Sequence, residues 1–162
     1  MNYKNLTIGL VTFKSEKVIF NCLKSLGNFK NIVILDNSND KQLKKLIKKK
    51  FPYIKFILSK KNNGFGDGYN QIINQSKTKY FFLISPDTLL GKNCVKNLIN
   101  VAKKLNDDFS IIAPKSNDLN YGNFAENKIA KLSLKEKPLK IDYVKGFAMF
   151  LNLNKFSKKK SF

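Results

Sequence analysis

Short apolar runs and amphipathic stretches take turns along the first 114 residues, and this alternation restricts the fold more than any other feature. "LTIGLVTF" (6–13) predicts a buried strand. "SEKVIFNCLKSLG" (15–27) predicts a helix, with Ser15 placed to cap its start and Gly27 to end it. "NIVILDN" (31–37) predicts a second strand, and "DKQLKKLIKKK" (40–50) an amphipathic helix with Leu43, Leu46 and Ile47 on one face. "YIKFILS" (53–59) predicts a third strand, "DGYNQIINQSK" (67–77) a helix and "KYFFLIS" (79–85) a fourth strand. "KNCVKNLINVAKKL" (92–105) predicts a helix with Val95, Leu98, Ile99 and Ala102 in a stripe, and "FSIIAP" (109–114) a fifth strand. After Pro114 a polar, loop-like stretch leads to "KIDYVKGFAMFLNL" (140–153), which predicts one long strand. Near-continuous apolar strands joined by helices imply an α/β fold, with a mostly parallel central sheet and helices on both faces.

A chain of 162 residues is the size of one ordinary domain, with 43% hydrophobic residues to build a core. No apolar run approaches the roughly 20 residues that span a bilayer. The N-terminus lacks the pattern of a signal peptide, so a cytoplasmic location is expected. Cys22 and Cys94 lie far apart and match no metal or redox spacing.

The formal charge of +20 invites a nucleic-acid reading, but all 31 cationic residues are lysine. Specific phosphate and base readers favour arginine for its bidentate fork, and arginine is absent here, as are histidine and tryptophan. A solvated lysine surface shaped by AT-rich codons explains the composition without a specific nucleic-acid partner, while anionic headgroups remain a partner such a surface can attract. The missing histidine excludes Ser-His-Asp and Cys-His catalysis and His-ligated zinc within this chain. Acid–base or metal chemistry falls to Asp, Glu, Lys or Tyr.

In open parallel sheets, ligands bind at the carboxyl ends of the strands. Here those ends are polar: Thr12-Phe13 after the first strand, Asp36-Asn37-Ser38 after the second, "NNGFGDGYN" (62–70) after the third and Ser85-Pro86-Asp87 after the fourth. Each has a plain structural alternative. "DNSND" makes a good helix-capping turn. Gly64, Gly66 and Gly68 serve a turn or close helix–sheet packing as readily as a phosphate. Asn70 can face solvent, and Asp87 can cap the following turn. The first strand–helix turn, "TFKSEK", has no glycine, which removes dinucleotide and P-loop readings.

Together, "TIGLVTFKSEKVIFNCLKSL", "NIVILDNSND", "NNGFGDGYNQII", "YFFLISPDTLL" and "VKGFAMFLNLNKF" occur in the order and spacing of family-2 glycosyltransferases. The chain most resembles their rhamnosyltransferase-like branch, over essentially its whole length. The resemblance implies a Rossmann-like GT-A fold in a single nucleotide-sugar-binding domain over 1–162. It implies an inverting enzyme that moves a sugar from a UDP- or dTDP-linked donor to a cell-surface glycan or lipid-linked acceptor. By position, Thr12, Phe13 and Asp36 look like the base and ribose contacts, and Asn62, Gly64 and Asn70 like the segment that closes over the nucleotide, with Asn37 and Gly66 also among the implied nucleotide-sugar-binding residues. Ser85 and Asp87 sit where the family carries its D-x-D or Asn-Pro-Asp motif, so Asp87 is the implied ligand of Mg²⁺ or Mn²⁺. Ser85 is a poorer hard-cation ligand than aspartate. Gly146 looks like the small residue that admits the donor sugar.

The family's general base lies beyond the "GFAMF"-type strand in an acidic stretch, expected past Phe162. The sequence therefore reads as a donor-binding half. Asp118 and Asp142 match no family position as substitutes. The resemblance also implies a cytoplasmic protein with a peripheral contact at the inner face of the membrane. Three competing readings remain: an S-adenosylmethionine-dependent methyltransferase, a sugar nucleotidyltransferase, and a non-enzymatic basic module binding RNA or anionic membrane. The first two want a glycine-rich turn after the first strand, which "TFKSEK" is not. The third predicts steep salt dependence and indifference to Asp87.

Overall fold

The computed structural model describes residues 3–116, 138, 140–141 and 143–156. In chain order the elements are Leu6–Thr12 (β1), Ile19–Ser25 (α1), Ile32–Asp36 (β2), Lys41–Lys50 (α2), Lys55–Leu58 (β3) and Gly64–Gln75 (α3). Tyr80–Ile84 (β4), Cys94–Lys104 (α4), Ile111–Ile112 (β5), Ala148–Asn152 (β6) and a 3₁₀ turn at Leu153–Lys155 follow. The strands form one sheet in the order β3-β2-β1-β4-β6-β5. β1, β2, β3 and β4 run parallel, with Thr12 opposite Asp36, and Gly9 opposite Leu83. β6 enters antiparallel between β4 and β5.

Successive residues of each strand alternate between two cores, as the strand period of two requires. Ile8, Leu10, Ile34, Phe82, Ile84 and Phe150 meet α1, α2 and α4 on one face. Val11, Leu35, Phe81, Leu83, Met149 and Leu151 meet Tyr69 and Ile72 of α3 on the other. Every residue of β1 and of β6 is buried, so both strands need cover on each side. Gly9 makes room for an aromatic ring: a Cβ there would stand 2.1 Å from Cζ of Phe81. At the amino ends of the strands, the hydroxyls of Thr7, Ser76 and Thr78 and the amide of Asn31 form one hydrogen-bonded cluster.

Five local expectations change. Helix α1 starts at Ile19 rather than Ser15, whose hydroxyl donates to the Phe13 carbonyl instead of capping; Gly27 does end the helix region, at φ +60°. Leu46 leaves the buried stripe of α2 and is 50% exposed. Helix α3 begins at Gly64, three residues before the expected start at Asp67. The fifth strand shrinks from 109–114 to Ile111–Ile112. The long strand expected over 140–153 is confined to Ala148–Asn152, because β4 offers only Tyr80–Ile84 to pair with it.

Candidate functional site at the carboxyl rim

From β1 the chain steps outward to β2 and β3, then crosses back by way of α3 to β4 on the far side of β1. Such a reversal opens a crevice at the carboxyl ends of β1 and β4, where ligands of open α/β sheets bind. The β1–β4 ladder stops at Gly9 and Leu83, and Tyr69 of α3 fills the widening gap. Its hydroxyl accepts from the Val11 N–H at 3.3 Å and donates to the Ile84 carbonyl at 2.8 Å. Burial holds the Tyr69 phenol well above its ordinary pKa, the Val11 hydrogen bond opposing that rise. Gly68 lets α3 come close enough: a Cβ there would lie 2.8 Å from both methyls of Val11.

On the β2 side the rim is sealed. Asp36 is fully buried, and its carboxylate accepts from Thr12 Oγ1 at 2.8 Å, Ser38 Oγ at 2.7 Å and the Asp40 N–H at 2.7 Å. Asp40 in turn caps α2 by accepting from the Leu43 N–H at 2.8 Å. Asn37 reaches across to α3, its amide donating to the Gly64 carbonyl at 2.9 Å and accepting from the Asn63 N–H at 3.5 Å. Asn62 accepts from the Gly64 N–H at 2.9 Å, and Gly64 takes φ +78°. Thr12, Asp36, Asn37, Asn62 and Gly64 are thus one connected group. Thr12 and Asp36 are both buried and bonded to each other, while Phe13, 49% exposed, faces solvent at this edge together with Lys14 and Asn62. Gly66 lies in the first turn of α3, and Asn70 is half-buried beside Tyr69.

On the β4 side the rim is open. Ser85 donates its N–H to the Phe147 carbonyl at 2.8 Å, which ties the "SPD" turn to the segment entering β6 and brings Gly146 to the same edge. Asp87 is exposed and belongs to neither of the two ion pairs among the described residues. Its charge adds to the burial that pushes the Cys22 thiol up to about 12, and it also raises Tyr69, so the carboxylate stands near the switch point. No cluster of three or more metal-ligating residues occurs among the described residues.

Phe65 and Tyr69 were not among the residues singled out from sequence. Phe65, 47% exposed, packs edge-on to Tyr69 with centroids 4.7 Å apart, and a Cβ on Gly146 would lie 3.6 Å from its ring. It spans from α3 to the β6 entry. An i, i+4 aromatic pair at the start of a helix was the available signal. Two concavities lie away from this rim: one of about 390 Å³ along α4 beside Asn97 and Lys104, and one of about 230 Å³ at the amino ends beside Thr7 and Thr78. Neither is lined by a carboxylate, so neither competes with Asp87 for cation chemistry. Asp118 and Asp142 lie outside the described residues.

The glycosyltransferase SunS of the SPbeta prophage in Bacillus subtilis (strain 168) is 29% identical over 107 residues, which is 65% of this chain and 25% of SunS. Among solved structures, S. aureus TarS 1–349 superposes with a TM-score of 0.70 at 16% identity, over 92% of this chain and 47% of that one. The mannosyltransferase PcManGT from Pyrobaculum calidifontis, solved with GDP-Man and Mn²⁺, gives a TM-score of 0.66 at 13% identity, over 93% and 45%. Both are GT-A glycosyltransferase structures, and the present sheet has that fold. The chain spans a quarter of SunS and under half of each solved structure. The profile of "Glycosyl transferase family 2" matches residues 7–155, and the chain belongs to that family.

Proposed function

We propose that residues 1–162 form the donor-binding domain of an inverting glycosyltransferase, which takes a sugar from a UDP- or dTDP-linked donor. The observation that carries this reading is the exposed Asp87 carboxylate, free of any ion pair among the described residues, beside the switch point and opposite the sealed Thr12–Asp36 pair. Phe13 offers an aromatic face to a base, and Asn37 fixes the Gly64 turn of the segment that closes over the nucleotide. Gly146, at the β6 entry, leaves space for the sugar next to Phe65.

Asp87 fits a Mg²⁺ or Mn²⁺ held jointly with diphosphate oxygens, since hard cations take carboxylate and phosphate oxygen and the described chain supplies one carboxylate at this point. A cation held there by Asp87 would supply Lewis-acid stabilisation of a departing diphosphate. Ser85 contributes its turn and its N–H bond to Phe147, which fixes the direction in which Asp87 leaves β4. The acceptor is a cell-surface glycan or a lipid-linked one, met by a cytoplasmic protein in peripheral contact with the inner face of the membrane. No helix among the described residues is long and apolar enough to cross a membrane.

The test is calorimetric titration with UDP, dTDP, GDP and S-adenosylmethionine, each with and without Mn²⁺, on wild type and Asp87→Ala. Mn²⁺-dependent binding of UDP or dTDP, lost in the variant, supports the proposal and names the donor nucleotide, whereas a preference for GDP overturns the donor assignment. Binding of S-adenosylmethionine, or diphosphate binding indifferent to both Mn²⁺ and Asp87, overturns it.

A further inference from the structure

Between Lys41 and Gly66 the chain carries nine lysines and no acidic residue. This segment builds α2 and β3, and β3 is the edge strand of the sheet. Leu43 and Ile47 hold one side of α2 in the core, which leaves Lys41, Lys45, Lys48 and Lys49 on the outward side, all exposed. Neither ion pair among the described residues involves a lysine of this segment. Lys48 caps the carbonyls of Pro52 and Ile54, Lys50 sits 4.8 Å over the Phe20 ring, and Lys55 donates to Gln75. Lys41, Lys45 and Lys49 stand at successive i, i+4 positions, where like charges destabilise a helix. The fold therefore maintains a one-sign face at its edge, eased only where Lys48, Lys49 and Lys50 stand in the last turn of α2 and meet the negative end of its dipole.

We propose that this face of α2 docks on an anionic lipid bilayer. A lysine-studded amphipathic helix is attracted to acidic headgroups, and it needs no fixed geometry from them. Leu46, half exposed beside the lysines, is aliphatic and suits shallow insertion at the headgroup boundary. Nucleic acid fits less well: the chain has no arginine, whose planar fork suits phosphates and base edges. The proposal deepens the peripheral contact proposed above and gives it a location. It uses no residue of the donor rim.

The experiment compares the chain with two triple variants of equal net charge, Lys41→Gln/Lys45→Gln/Lys49→Gln on α2 and Lys96→Gln/Lys103→Gln/Lys104→Gln on α4. Each is sedimented with vesicles of phosphatidylglycerol and phosphatidylcholine, and with phosphatidylcholine alone. Each lysine near an anionic surface strengthens partitioning about fivefold, so the α2 variant should lose about a hundredfold and the α4 variant only a few-fold. Wild type should ignore pure phosphatidylcholine. Thermal unfolding of the α2 variant should be unchanged or raised, because the substitution removes like-charge repulsion. Equal losses in the two variants would mean that net charge, not this face, does the binding. That result overturns the proposal, as does wild type failing to bind anionic vesicles, or single-stranded RNA being held more tightly than vesicles with the same α2 dependence. Diphosphate titration of the α2 variant should match wild type, which separates failure here from failure of the donor site.

Discussion

The Tyr69 hydroxyl donates to the Ile84 carbonyl across the point where β1 and β4 part, and takes the Val11 N–H from the other side. One phenol thus satisfies two backbone groups that the parallel ladder can no longer pair. Tyr69→Phe should leave both buried and unpartnered, at about 1–3 kcal/mol. Urea unfolding should show this as a lower midpoint with an unchanged slope. The diphosphate affinity proposed for this rim should weaken too, because the crevice edges lose their brace.

Gly68 faces Val11 where a Cβ would come within 2.8 Å of two methyl carbons. Gly68→Ala should destabilise by about 1–3 kcal/mol through overpacking, although alanine is the better helix former. Adding Val11→Ala should recover much of that loss. A double-mutant cycle on denaturation free energies reads the coupling directly.

Asp36 accepts three hydrogen bonds while fully buried. Asp36→Ala should cost about 3 kcal/mol or more, since three donors lose their acceptor. Thr12→Val should cost less, since Ser38 and Asp40 still hold the carboxylate. Thermal melts rank the two.

Acid should loosen the junction between β4 and the turn after α4. Lys79 and the Tyr80 hydroxyl both donate to Asp107, and those bonds hold the Asp107 carboxyl below its ordinary value. A depressed carboxylate stabilises the fold above its unfolded pKa, near 4, and the benefit drains away as pH falls through the folded value. Lys79 is raised by the same contact, so its share is complete below about pH 10 and lost above. Stability followed from pH 6 to 2 should fall less steeply in Asp107→Asn than in wild type.

Cys22 is fully buried, its thiol lies 3.7 Å from the Ser85 carbonyl, and its pKa of about 12 keeps it protonated. Thiol reagents at pH 8 should modify half-buried Cys94 first, with Cys22 labelled only on unfolding. Mass spectrometry of partly labelled protein separates the sites.

The order of elements was legible because each apolar run is of strand length and bounded by polar or turn residues, as "YFFLI" is for β4. What escaped was set by distant partners. Helix α3 starts early because Asn37, from another strand end, holds the Gly64 turn, and no local pattern around Gly64 records that. The late strand is short because β4 is short. At the site, the positions of polar residues on the rim followed from strand ends alone. That Asp36 is sealed while Asp87 is open depends on Ser38 and Asp40 folding back, which the turn residues allow but do not announce. Tyr69 escaped notice because its hydroxyl partners belong to two other elements.

The antiparallel β6, lodged between β4 and β5, sets a timetable for the chain as it is made. When residue 112 emerges, β5 has nothing to pair with, and β4 has a neighbour on one side only. Phe81, Phe82 and Leu83 then wait at an open edge while residues 113–147 are synthesised. An unpaired apolar edge of this kind is a template for sticking to other chains. Closing it requires a contact of long sequence separation, which forms slowly. Nascent chains stalled before Ala148 should therefore lean on chaperones, and those released after Asn152 should not.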